Sequence, residues 1–142
     1  MLEDNSYIRI NRDSLRLSLF GNLDGYYQRK DLKVCEDMVT DMENCIFELC
    51  SFAKKNIIID NTNLKSSYIE RWLELAKELG YEVEYKFFDI PLPTARLRVL
   101  DREFGQGFWE GDLEKTNYAE YIFKQYEQYK QIKKQYGKNM WI

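Results

Sequence analysis

The sequence contains no histidine. That excludes a Ser-His triad, an imidazole general base and any histidine-ligated metal. Acid–base chemistry must fall to carboxylates, Lys, Tyr or Cys. Cysteine is scarce: Cys35, Cys45 and Cys50 are an odd set with no CxxC spacing. They share one helical stretch and read as reduced core thiols of a cytosolic protein, with no histidine present to activate a nucleophile. No hydrophobic run approaches membrane-spanning length and the N-terminus lacks a signal-peptide pattern, so the expectation is a cytoplasmic protein with no membrane role. Charge of one sign is also lacking: 21 Lys+Arg stand against 24 Asp+Glu, for a net charge of -3. Such a chain does not coat nucleic acid by bulk positivity, although local basic patches remain open to it.

What is present suits one folded domain over residues 1–142. The composition is 44% hydrophobic and 15% aromatic, enough to bury a core. Tyr7–Ile10 alternates as a short strand. Asp13–Phe20 reads as a short helix, and Gly21–Gly25 as a loop. From Asp31 to about Lys54, Cys35, Met38, Val39, Met42, Cys45, Ile46 and Leu49 recur at helical spacing. Ile57–Ile59 reads as a strand buried on both faces, as in parallel sheets. Ser66–Ser67 can cap a helix ending at Leu79, with Gly80 as its stop. Val83–Phe88 is the third expected strand. A helix from Thr94 to Phe104 carries Arg96, Arg98 and Arg102, and a last helix covers about 117–136. Its Tyr118, Ile122, Tyr126, Tyr129, Ile132 and Tyr136 stripe reads as packing. Its lysines, and the acidic residues Glu36, Asp37, Asp41, Glu43 and Glu48, read as solvated faces. The lysines interleaved with Tyr leave tracking of a nucleic-acid strand open. Alternating strands and helices predict a three-layer α/β fold with a short parallel sheet.

Three polar clusters follow expected strands, where open parallel sheets place ligands. In the first, Asp13 and Arg16 share a helix face. A carboxylate there can take a proton from a hydroxyl while a guanidinium holds a phosphate; an N-cap Asp with a helical ion pair is the plainer alternative. In the second, Asp60, Asn61, Thr62 and Asn63 can bind metal, phosphate or a hydroxyl, or simply form an Asx-rich turn. In the third, Arg98 and Arg102 stack on one face and can clamp phosphate oxygens, or pair with Asp101 and Glu103 on a solvated surface.

The order and spacing of these motifs resemble the kinase domain of bacteriophage-type polynucleotide 5'-hydroxyl kinases, within the P-loop kinase superfamily. The resemblance covers roughly Tyr7 to Phe104 and rests on the segments Ile10–Arg16, Ile58–Leu64, Leu75–Val83, Phe88–Pro91 and the Arg98/Arg102 pair. It implies a general base at Asp13, an acceptor-phosphate grip at Arg16, and acceptor or metal contacts at Asn61, Thr62 and Asn63. The family's Asp-Thr-Asn has an acid where Asn61 stands; Asp60, one position earlier, is the candidate metal ligand in its place. Arg98 and Arg102 correspond to lid arginines over about 94–108.

The sequence contains no GxxxxGK[ST] segment, the loop that cradles the phosphates of ATP. Only Met1–Ser6 precede the first strand, so the family's first strand, phosphate loop and helix are expected to be missing. Two functional expectations follow. The favoured one is a degenerate, catalytically inactive kinase that binds nucleic acid, nucleotide or protein, in the manner of a phage or mobile-element inhibitor of a host system. The alternative is an active 5'-hydroxyl polynucleotide or small-molecule kinase with Asp13 as base. Its ATP site would then be completed by another chain or by upstream sequence; ATP and Mg²⁺ enter only there. A purely structural subunit is the third reading. Loss of a central strand would expose sheet edges, so a homodimer or partner chain is expected.

Overall fold

The computed structural model describes residues 7–95, 97, 98 and 118–137. The chain falls into two compact units, Met1–Thr62 and Asn63–Ile142.

The first unit is a βαβ crossover. β1 (Tyr7–Ile10) pairs in parallel with β2 (Asn56–Ile59), Tyr7 opposite Asn56 and Ile10 opposite Ile59. Parallel strands need a long connection. Here it consists of α1 (Arg12–Phe20), a 3₁₀ turn (Tyr26–Gln28) and α2 (Leu32–Phe52). Asn11 is extended and its side chain accepts from Ser14 N at 2.9 Å, so the N-cap of α1 is Asn11. Asp13 sits in the first turn and is not the cap. α2 packs against α1, the 3₁₀ turn and both strands.

The buried stripe of α2 is Cys35, Val39, Glu43, Phe47 and Cys50. This corrects the sequence expectation, because Met38, Met42, Cys45 and Leu49 face outward. The apolar residues on α2 cover more than one face, and the face that turns in carries Glu43, whose buried carboxylate is paired with Arg12. Ile57, Ile58 and Ile59 are only half-buried, contrary to the expected two-sided burial. A sheet of two strands, all that the described residues form, is too narrow to be covered fully on both faces.

α2 ends in a tight closure in which Lys55 N donates to Cys50 O at 2.8 Å. Lys54 takes the left-handed backbone this needs, at φ 56°. The same closure ends α3 (Ser66–Leu79), where Tyr81 N donates to Ala76 O at 2.8 Å and Gly80 occupies the left-handed position at φ 78°. α3 begins from an extended Lys65 with no side-chain cap, so the expected Ser66–Ser67 cap is not used.

The second unit holds α3, helical residues 92–95, 97 and 98, and α4 (Tyr118–Tyr136). Ile69, Ile132 and Tyr136 form its buried cluster, with Leu73, Tyr85 and Phe87 packed against them. The Tyr136 hydroxyl donates to Glu70 at 2.6 Å, and burial together with that carboxylate pushes its pKa up to about 12. Lys133 is not simply solvated; it pairs with Asp89 at 2.6 Å, and Asp89 also accepts from the Tyr129 hydroxyl. Residues 83–88 form no strand, a second correction. Tyr85 and Phe87 alternate inward as a strand would, but a strand exists only against a neighbour that completes its ladder. Among the described residues no helix is long and apolar enough to cross a membrane.

Candidate functional site

The site lies where β1 and β2 give way to their following segments. Asp60 N donates to Ile10 O at 2.9 Å, extending the ladder by one bond. Asn11 Nδ2 then donates to Asp60 O at 2.5 Å. This zipper seats Asn61 beside the start of α1. Its Oδ1 accepts from Arg12 N at 2.9 Å and its Nδ2 donates to Glu43 Oε2 at 3.1 Å.

Two arginines and two glutamates then interlock. Arg12 donates through Nη1 to Glu43 Oε1 and to Thr40 Oγ1 at 3.1 Å, and through Nη2 to Glu36 Oε2 at 2.7 Å. Glu43 is 0% exposed. A carboxylate so placed is tolerable only when paired and hydrogen-bonded, as here. Arg16 presents its Nε and Nη2 to Glu36, both at 2.9 Å, and its Nη1 to Asp13 at 2.7 Å. The Tyr26 hydroxyl donates to Glu36 at 2.7 Å.

The titration shifts follow from these contacts. The Arg16 hydrogen bonds, with help from Tyr26 and Arg12, outweigh desolvation and hold the Glu36 carboxyl at about 2. Burial works against the charge of Arg16, but the bonds from Glu36 and Asp13 win and its pKa rises. Burial first, and the Glu36 carboxylate second, push the Tyr26 phenol up to about 12.

The structure therefore brings Asp13, Arg16 and Asn61 together in the first unit. The Arg16 side chain is 12% exposed and that of Asp13 is 63% exposed. Asp13 thus shows its free face to solvent while its partner is fixed from behind. Asp60 is taken up elsewhere, in an ion pair with Arg9 at 2.6 Å. Thr62 is exposed at the end of that unit, and Asn63 opens the second with φ 48°. Arg98 is exposed in the second unit; Arg96, Arg102 and most of the 94–108 segment lie outside the described residues.

Sequence reasoning missed Arg12, Tyr26, Glu36 and Glu43. Glu36 and Glu43 had been placed on a solvated face, which the structure corrects. A signal was available: Glu43 falls four residues from both Val39 and Phe47, squarely on the buried stripe.

Residues 1–119 match the family described as AAA domain. The chain belongs to this family, within the P-loop kinase superfamily. A protein of Autographa californica nuclear polyhedrosis virus named as a bifunctional polynucleotide kinase/RNA ligase is 31% identical over 105 residues, which is 68% of this chain. The chain spans 15% of the length of that relative.

Membership of the P-loop kinase superfamily implies ATP and Mg²⁺. The residues in hand do not fit them. The sequence holds no Gly-rich loop ending Gly-Lys-Ser/Thr. Among the described residues no group of three Cys, Asp or Glu converges to hold a metal. What the chain does hold is an Asp13–Arg16 pair braced from behind by Glu36.

Proposed function

We propose that this chain is a polynucleotide-kinase-like protein whose first unit binds the 5' end of a nucleic acid, and that its 142 residues bind without transferring phosphate by themselves. The reading is carried by the asymmetry of Arg16. Its Nε–Nη2 edge is tied to Glu36, which is itself anchored by Arg12 and Tyr26. Its Nη1 meets only the exposed Asp13 at 2.7 Å. A phosphate oxygen can take over Nη1 when Asp13 swings toward a neighbouring hydroxyl, because one exposed hydrogen bond is easily exchanged. Asp13 then accepts the hydroxyl proton's hydrogen bond, the geometry a general base requires. Phosphoryl transfer also needs the γ-phosphate neutralised and positioned, and no phosphate loop in these residues does that.

A second reading is favoured by the exposure of Asp13, which leaves its carboxylate open to an incoming hydroxyl. In it the same pair works as base and phosphate grip of an active 5'-hydroxyl or small-molecule kinase once another polypeptide or further sequence supplies the phosphate loop. Both readings include a second chain or a second copy, because a two-stranded parallel sheet leaves strand edges to be covered. An inhibitory role in a host is compatible with a binder of this kind.

The test is transfer of labelled γ-phosphate from ATP-Mg²⁺ to a 5'-hydroxyl oligonucleotide, run beside direct oligonucleotide binding. Binding that Arg16→Ala abolishes, with no transfer, is the expected result. Transfer by the purified chain that Asp13→Ala removes would overturn the first reading, and transfer that appears only when a phosphate-loop polypeptide is added would favour the second. Absence of oligonucleotide binding would overturn the first reading and the polynucleotide form of the second.

A further inference from the structure

We propose that Tyr27 is a stacking platform for the first nucleobase of a single-stranded 5' end held at Asp13 and Arg16. The inference rests on the reading of that pair as a 5'-end site and adds the part of the ligand it grips beyond the phosphate.

The argument starts from a backbone feature. Gly25 takes a left-handed conformation, φ 66°, and launches the 3₁₀ turn Tyr26–Gln28. The turn splits two consecutive tyrosines. Tyr26 goes inward, 2% exposed, and spends its hydroxyl on Glu36. Tyr27 goes outward and is 56% exposed. The two rings meet edge to face, centroids 5.2 Å apart and planes at 89°. Phe20 braces Tyr26 in turn at 5.4 Å. The Arg16 guanidinium carbon lies 5.9 Å from the Tyr26 centroid and 5.8 Å from that of Tyr27. Tyr27 is therefore an open ring pre-set by a buried aromatic stack, adjoining the cation assigned to the acceptor phosphate.

Chemistry selects the occupant. An open ring held beside a cation matches a ligand that is flat, apolar on its faces and tethered to a phosphate. A nucleotide is such a ligand. Single-strand binding proteins combine the same two features, a cation for the backbone and an aromatic face for the base, and the contact tolerates any base. The nearly neutral net charge of -3 leaves stacking a larger share of the affinity than counterion release has in basic proteins.

Fluorescence anisotropy of 3'-labelled, 5'-hydroxyl single strands tests this. One strand carries an ordinary first nucleotide; its twin carries an abasic one. The wild-type chain is expected to prefer the first by roughly tenfold, the usual worth of one stacked base. Tyr27→Phe retains the preference, since the ring is kept. Tyr27→Leu and Tyr27→Ala reduce it to about one. An exposed side chain can be truncated without unfolding the unit, and circular dichroism confirms that. A preference that survives Tyr27→Ala, in a protein whose binding Arg16→Ala abolishes, overturns the platform and leaves the 5'-end site standing. Failure of the wild type to bind either strand overturns both together.

Discussion

Replacing Glu36 with Gln removes the one carboxylate that Arg12, Arg16 and Tyr26 share. Gln keeps an oxygen for Tyr26 and for one arginine edge, but it turns an amide N–H toward the Nη2 groups of Arg12 and Arg16. Three donors then face each other. The native carboxyl is held at about 2 rather than at its ordinary 4.5. At about 1.4 kcal/mol for each tenfold change, the ionised form gains about 3 kcal/mol from folding as a ceiling. Partial solvent access to the cluster brings the working figure to about 1–2 kcal/mol. The sign is fixed by the direction of the shift. A carboxyl depressed in the folded state contributes fully above its unfolded value and loses that contribution as pH falls from about 5 toward 2. Urea unfolding followed by far-UV circular dichroism should place the Gln variant about 1 M below wild type in midpoint at pH 7. The gap should narrow steadily between pH 5 and pH 3, because the wild type loses what the variant never had. A gap that is constant with pH would refute the reasoning and make Glu36 a packing residue whose charge contributes nothing.

Other changes test the same architecture. Glu43→Ala strands Arg12 beside an emptied buried site and should cost about 3–5 kcal/mol in unfolding free energy, the largest effect of any single change proposed. Asn61→Asp sets a second carboxylate against Glu43 Oε2, now 3.1 Å from the Asn61 amide; it should destabilise by about 1–3 kcal/mol at pH 7, and Glu43→Gln in the same chain should recover much of that. Lys54→Gly relieves a left-handed backbone at φ 56° and should raise the thermal midpoint, with a gain of about 1 kcal/mol. Tyr136→Phe deletes the hydroxyl that donates to Glu70 and should cost about 1 kcal/mol, read in the second unit through the fluorescence of Trp72.

The two paired strands, helices α1 to α4 and the parallel sense of the sheet were legible because each left a local signal. Tyr7–Ile10 alternates, Ile57–Ile59 is a β-branched run, and Gly80 marks the end of α3. The inward face of α2 was not legible. Met38, Met42 and Leu49 sit at helical spacing as persuasively as Cys35 and Val39, so periodicity alone offered two overlapping stripes. The stripe that is buried carries the Arg12–Glu43 pair, a contact between residues 31 positions apart that no local pattern shows. Residues 83–88 failed for a related reason. Alternation is a property of a segment, whereas a ladder is a property of two segments, and no local pattern announces that the described residues offer no second. Asp13 and Arg16 were found because a spacing of three on a helix guarantees contact. Their bracing by Glu36 was not, since it joins α1 to the second turn of α2 across a loop.

That bracing changes how the pair should be understood. An isolated Asp–Arg pair on a helix surface is worth little and points nowhere in particular. Here the guanidinium is fixed on one edge by a carboxylate that is itself fixed by two further donors, Arg12 and Tyr26, so the remaining edge has a set direction before any ligand arrives. Such preorganisation lowers the ordering cost of binding and leaves a single weak contact, Asp13 to Nη1, as the part that must move. The same logic accounts for Asn61 where polynucleotide kinases of the resembling type carry an acid. With Glu43 buried one hydrogen bond away, an amide satisfies both Glu43 and Arg12 N, whereas a carboxylate would repel the group that holds Arg12 in place. The first unit therefore holds the Arg16 guanidinium in a fixed direction, and its polar network favours an amide over a carboxylate at position 61.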